Sequence, residues 1–148
     1  MSIMKLMKPV KNAVAFVIYN KDRSKFLAVK RPPDDKDLPD VWGLPAGSLL
    51  DGEAFEKALL RSGREKLGVG LGIVKLIGSG DIERKNYVLH MKEYEVKIVR
   101  GEPKVPQPVE GVTQYLAWKW AVADELKEAA QKGSLCSRLY LSSLNQEW

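Results

Sequence analysis

The stretch that most constrains this chain is Trp42 to Val69, WGLPAGSLLDGEAFEKALLRSGREKLGV. Its first part is crowded with turn formers: Gly43, Pro45, Gly47, Asp51 and Gly52. Its second part reads as a helix of roughly four turns. Gly68 then stops the helix, a residue suited to the left-handed position just past a helix end. Phe55, Ala58, Leu59 and the stem near Leu67 can line one buried stripe of that helix. Glycines ahead of a helix N-terminus let backbone N–H groups approach an anion, and the helix dipole favours negative charge there. Alone, this is a weak phosphate-binding signal, because many loops leading into helices carry glycine.

The spacing of the fixed residues is more specific. It resembles the Nudix box, Gly-x5-Glu-x7-Arg-Glu-U-x-Glu-Glu-x-Gly-U, where U is aliphatic. Gly47 falls on the first glycine, Glu53 on the first glutamate and Arg61 on the arginine. Glu65 falls on the first residue of the glutamate pair, Gly68 on the closing glycine and Val69 on the last aliphatic. WGLPAG is also similar to the family's usual approach to the box. The resemblance implies an α/β fold, a Nudix-like α/β/α sandwich with a mixed β-sheet, in a single domain over residues 1–148.

The resemblance further implies a hydrolase that cleaves the diphosphate linkage of a nucleoside diphosphate derivative with Mg2+ or Mn2+ assistance. Glu65 and Arg61 would be catalytic, the arginine by positioning a carboxylate. Glu110, ahead of a tryptophan-bearing strand, would join them as metal ligand or base. Glu65, Glu53 and Gly47 would hold the metal. Arg31, Gly47 and Lys66 would meet the substrate, Arg31 because that region borders the cleft in the family.

Three positions depart from the pattern. Ser62 stands where the family has glutamate, Gly63 where it has an aliphatic residue and Lys66 where it has the second glutamate of the pair. On a regular helix Ser62, Glu65 and Lys66 share one face. Magnesium takes hard oxygen ligands, and an ammonium ~4 Å from a dication costs on the order of 8 kcal/mol at an effective dielectric of 20. Lys66 can swing into water, or touch the diphosphate itself as a point charge. Gly63 costs about 1 kcal/mol against alanine in a helix interior. The departures support a second reading, a Nudix-fold module that binds a nucleotide or phosphorylated metabolite without hydrolysing it.

A length of 148 residues suits one domain, and no linker or low-complexity run divides it. The net charge of +5 suits an anionic small molecule. Because the basic residues are spread along the chain, a solvated surface is expected rather than a nucleic-acid footprint. Cys136 is the one cysteine, so no internal disulfide forms, and a small semi-buried side chain is expected. Lys5, Lys8 and Lys11 precede the apolar run AVAFVIY, which is too short for a signal peptide and reads as a strand. No stretch is long enough to span a bilayer, and a cytoplasmic location is expected. The oligomeric state is left open.

Elsewhere the patterns give a β-rich chain. Ala13–Tyr19 and Phe26–Lys30 read as two strands of a hairpin spanning Asn12 to Arg31. Pro32 to Asp40 is an exposed polar loop, and Trp42 is expected to plug the core. Leu71–Ile77 reads as a strand turned by Gly78, Ser79 and Gly80. Tyr87–Val99 changes apolar phase near Lys92, which predicts a bulge or two strands, with Glu93 and Glu95 on a solvated face. His90, the only histidine, is assigned no role. The proline-rich stretch 101–113 is a loop, Tyr115–Trp120 a strand, and 124–132 and 134–144 two helices with Leu135, Leu139 and Leu144 in the core.

Overall fold

The computed structural model of the protein describes residues 8–35 and 38–148, so Lys5, Lys36 and Asp37 lie outside the described residues. The apolar run near the N-terminus forms β1 (Val10–Ile18), whose residues 13–18 are all buried. It is buried on both faces because it sits inside a four-stranded mixed sheet. Its neighbours are β4 (Ala46–Ser48), antiparallel, and β6 (Val88–Arg100), parallel. β5 (Gly70–Glu83) closes the far edge antiparallel to β6. A second sheet holds β2 (Phe26–Lys30) between β3 (Trp42–Gly43) and β7 (Ala117–Ala121), all antiparallel.

Helices cover both faces of the mixed sheet, as expected for an α/β sandwich. Val14, Phe16 and Ile18 pack under α1 (Phe55–Ser62), against Ala58, Leu59 and Leu67. Ala13, Ala15 and Val17 face α3 (Leu135–Ser143), against Leu135, Cys136, Tyr140 and Leu141. A large apolar side chain buried as fully as Phe16 contributes roughly 1.5–3 kcal/mol. Ser134 caps α3, its hydroxyl accepting from the Ser137 N–H at 3.4 Å. A 3-10 turn (Ala123–Leu126) and α2 (Lys127–Gln131) connect β7 to α3. No helix among the described residues is long and apolar enough to cross a membrane.

Several local expectations are corrected. β1 and β2 meet in one bridge, Tyr19 with Phe26, and then part into different sheets rather than forming a hairpin. Gly78, Ser79 and Gly80 do not turn the chain; they continue β5 opposite Glu93, Lys92 and Met91. A Cβ on residue 80 would lie 3.1 Å from Leu139 Cδ2, so this strand glycine lets α3 approach closely. The turn falls instead at 84–87, closed by the Arg84 N–H on the Tyr87 carbonyl at 2.8 Å.

β6 is one unbroken strand. The irregularity predicted near Lys92 lies across the ladder, where register shifts interrupt β5 between Ile73 and Lys75 and between Leu76 and Gly78. Glu93 and Glu95 are buried rather than solvated, because the strand is covered on both faces there. Glu95 is paired with Arg23 at 2.9 Å, while neither oxygen of Glu93 has a hydrogen-bond partner. Leu135 is in the core and Leu139 packs at its margin, but Leu144 is exposed just past the end of α3. Trp42 is half-buried against the core, with the Lys119 ammonium 4.4 Å from its ring centroid.

Candidate functional site

The loop from β4 into α1 is fixed by one guanidinium. Arg61 donates from Nε to Glu53 Oε2 at 2.9 Å and from Nη2 to Glu53 Oε1 at 2.9 Å. Nη1 donates to Glu65 Oε1 at 2.8 Å, and Nη2 also reaches the Ser48 carbonyl at 2.8 Å. Glu53 in turn accepts the Leu50 N–H at 3.0 Å. The hydrogen bonds from Arg61 hold the Glu53 carboxyl below the usual carboxylate range. Fork-shaped pairing of this kind is among the stronger polar contacts available to a protein. Its effect is to clamp residues 48–53 onto α1 and set the backbone of Gly47 beside the helix.

The helix widens after Ser62 into a π turn (Gly63–Leu67). Such turns occur mostly singly and often at functional sites. It ends on Gly68 at φ 71°, the left-handed conformation expected for that glycine. Gly63 is a packing requirement as well as a propensity cost, since a Cβ there would lie 2.5 Å from Leu71 Cδ1. Ser62 and Lys66 face β4 while Glu65 turns to Arg61. Ser62 is buried and its Oγ has no partner. A Cβ on residue 47 would fall 2.0 Å from that Oγ, so beside Ser62 position 47 has room only for glycine.

Lys66 donates from Nζ to the Ala46 carbonyl at 2.5 Å and lies 5.2 Å from the ring centroid of Tyr115. The Tyr115 hydroxyl accepts the Ala46 N–H at 3.0 Å and donates to its carbonyl at 3.1 Å. Gln114 donates to the Glu65 carbonyl at 2.9 Å, tying the segment before β7 to the π turn. The arrangement does not fit a magnesium cage. Glu53 and Glu65 are both engaged by Arg61, an ammonium lies on the adjoining carbonyl, and among the described residues no three His, Cys, Asp or Glu side chains converge as ligands.

Beside these residues opens a cleft of about 650 Å³. Ala46, Gly47 and Lys66 line one end, and Arg31, Tyr115 and Leu38 also border it. Its floor is the sheet face of Ala13, Leu89 and Met91. Arg31 pairs with Asp35 at 3.2 Å and is largely enclosed. Lys11 and Arg84 complete the cationic lining, against Asp34 and Asp35.

The structure thus brings Gly47, Lys66 and Arg31 to one cleft, with Arg61, Glu53 and Glu65 forming the clamp behind it. Glu110 does not join them. It is an exposed side chain on the 101–113 loop, outside the cleft lining, because Val112 to Tyr115 are the residues that turn inward. Sequence reasoning missed Gln114, Tyr115, Arg84 and Lys11. Contacts between segments distant in sequence bring Gln114 and Tyr115 to the box, while the β1–β6 pairing and the turn after β5 carry Lys11 and Arg84 to the cleft, and no local pattern carries that information.

The NUDIX domain profile matches residues 9–138. No curated protein matches the sequence. Among solved structures, a MutT protein from Methanosarcina mazei Go1 is 15% identical with a TM-score of 0.71, covering 94% of this chain and 96% of that one. A NUDIX hydrolase from Nitrosomonas europaea is 20% identical with a TM-score of 0.70, covering 93% and 89%. An ADP-ribose pyrophosphatase from Streptococcus suis is 14% identical with a TM-score of 0.59, covering 93% and 94%. At such identities the likeness speaks for the fold, whereas the profile runs from before β1 through the box and into α3. This chain belongs to the Nudix domain family.

Proposed function

We propose that the chain is a Nudix-type hydrolase that takes a nucleoside diphosphate derivative into the cleft, with the diphosphate against Gly47 and Lys66. The observation that carries this reading is the Lys66 ammonium, fixed on the Ala46 carbonyl at the cleft wall. A fixed cation in a partly enclosed site acts on developing phosphate charge without reorganising. Arg61 is a positioning residue, holding the Gly47 loop and Glu65 in place. Glu65 keeps Oε2 clear of the Arg61 bond and is the box carboxylate left to take a proton from water. Water would add to one phosphorus, its proton would pass to Glu65, and the bond from that phosphorus to the bridging oxygen would break.

Binding without cleavage is the second reading. Arg61 engages both box carboxylates, and Ser62 supplies no base, which favours it.

The test is product release from ADP-ribose, nucleotide sugars, dinucleoside polyphosphates and nucleoside triphosphates, with and without Mg2+ or Mn2+. Glu65→Gln and Lys66→Gln run beside the native chain. Turnover lost in both variants supports the hydrolase. Saturable binding that is lost in Lys66→Gln, with no turnover of any compound, supports the binding module instead.

A further inference from the structure

The far end of the cleft holds an arginine that the box does not use. Arg84 lines the cleft from the turn between β5 and β6, and its Nε is sealed from solvent with no hydrogen-bond acceptor. No carboxylate pairs with it among the described residues. Its backbone is held on both sides, the N–H on the Tyr87 carbonyl and the carbonyl accepting from Lys8 Nζ at 2.8 Å. Gly133 leaves room for the guanidinium, since a Cβ there would come within 3.3 Å of Nη1. Lys11 reaches the same end, its ammonium 5.5 Å from the Tyr87 ring centroid.

A buried donor without an acceptor is uncommon in a folded protein, and a ligand is one of the ways it is satisfied. Here the donor belongs to a group whose planar fork suits phosphate oxygens. Arg84 and Lys11 together match the double charge of a phosphomonoester. β4, which Lys66 touches, and β5, which ends at the Arg84 turn, lie three strand spacings apart, about 14 Å, with Lys11 on β1 between them. Between them the floor is apolar, built from Ala13, Leu89 and Met91.

We infer that Arg84 and Lys11 form a second anion subsite, so that the ligand carries a further phosphate group separated from its diphosphate by an uncharged segment. This rests on the reading that the diphosphate meets Lys66.

The experiment is calorimetric titration of ADP, 2′-phospho-ADP and 3′-phospho-ADP into the native chain, Arg84→Gln, Lys11→Gln and Lys66→Gln, each first shown to unfold cooperatively. At least one phosphorylated probe is expected to bind 10-fold or more tighter than ADP. Arg84→Gln should lower that probe's affinity at least 10-fold while ADP's falls less than 3-fold, and Lys11→Gln should act in the same direction. Equal affinity of all three probes for the native chain overturns the inference, as does an advantage that survives Arg84→Gln. Should Lys66→Gln leave ADP binding intact, the diphosphate placement fails, whereas the comparison of phosphorylated and plain probes still judges the second subsite.

Discussion

The ammonium of Lys66 and the carbonyl of Ala46 are hydrogen-bonded at 2.5 Å, across 20 residues of chain, joining the end of the box helix to β4. A charge-assisted bond of this kind is worth roughly 1.5–3 kcal/mol. The positive charge at the cleft wall is therefore part of the protein. ADP binding should persist in EDTA, and Lys66→Gln should weaken it by roughly 10-fold to 100-fold at that bond strength. Titration in chelator is the check, and loss of binding on chelation would sink the idea.

Gly47 and Ser62 make a second testable pair. Because Ser62 Oγ is buried without a partner, Ser62→Ala should leave stability unchanged or raise it by up to about 1 kcal/mol. Gly47→Ala inserts a methyl into the same contact and should cost about 1–3 kcal/mol, as overpacking does. Urea unfolding of the two variants compares them directly.

Arg61→Ala removes the clamp and leaves Glu53 and Glu65 without their partner. The group is largely enclosed but not sealed, so the loss should be about 1–3 kcal/mol rather than that of a fully buried pair. Amide exchange should show residues 48–53 opening faster than β1, the pattern of local rather than global loosening.

Glu93 ties stability to pH. Burial pushes its carboxyl well above the ordinary value of 4.5. The folded chain therefore keeps a proton that the unfolded chain releases from about pH 4.5 upward, and stability falls as pH rises through that window. Glu93→Met removes the titration and both unpaired oxygens. Its advantage over the native chain should grow as pH rises above 4.5, by at most about 1.4 kcal/mol per pH unit. Glu53, Glu95 and Glu125, whose carboxyls are held low by Arg61, Arg23 and Lys119, lose their contribution on the acid side in both proteins and cancel in the comparison. Denaturant curves from pH 4.5 to 7 would show a flat difference if Glu93 were ionised when folded.

The box was legible because its physics is local. A loop clamp, a helix and a terminal glycine depend on neighbours within about twenty residues: Arg61 pairs with Glu53 across the loop, and Gly68 ends the helical stretch as expected. What could not be read depends on packing between distant segments. Gly78 to Gly80 carry a turn composition, yet pairing with β6 and the approach of α3 hold them in a strand. Glu93 has the alternation of a solvated residue, but the second helix layer covers it. Glu110 rests on the family resemblance alone, and its side chain is exposed on the 101–113 loop. The inward-turning residues are Gln114 and Tyr115, selected by contacts with Glu65 and Ala46 that lie far away in sequence.

The bond from Lys66 to the Ala46 carbonyl bears on what else position 66 could carry. A carboxylate placed there alone would leave that carbonyl without its cation and set two acceptors against each other. The cationic form of this box thus ties its charge to the main chain of β4, and exchanging that charge for its opposite asks the loop to change along with the helix.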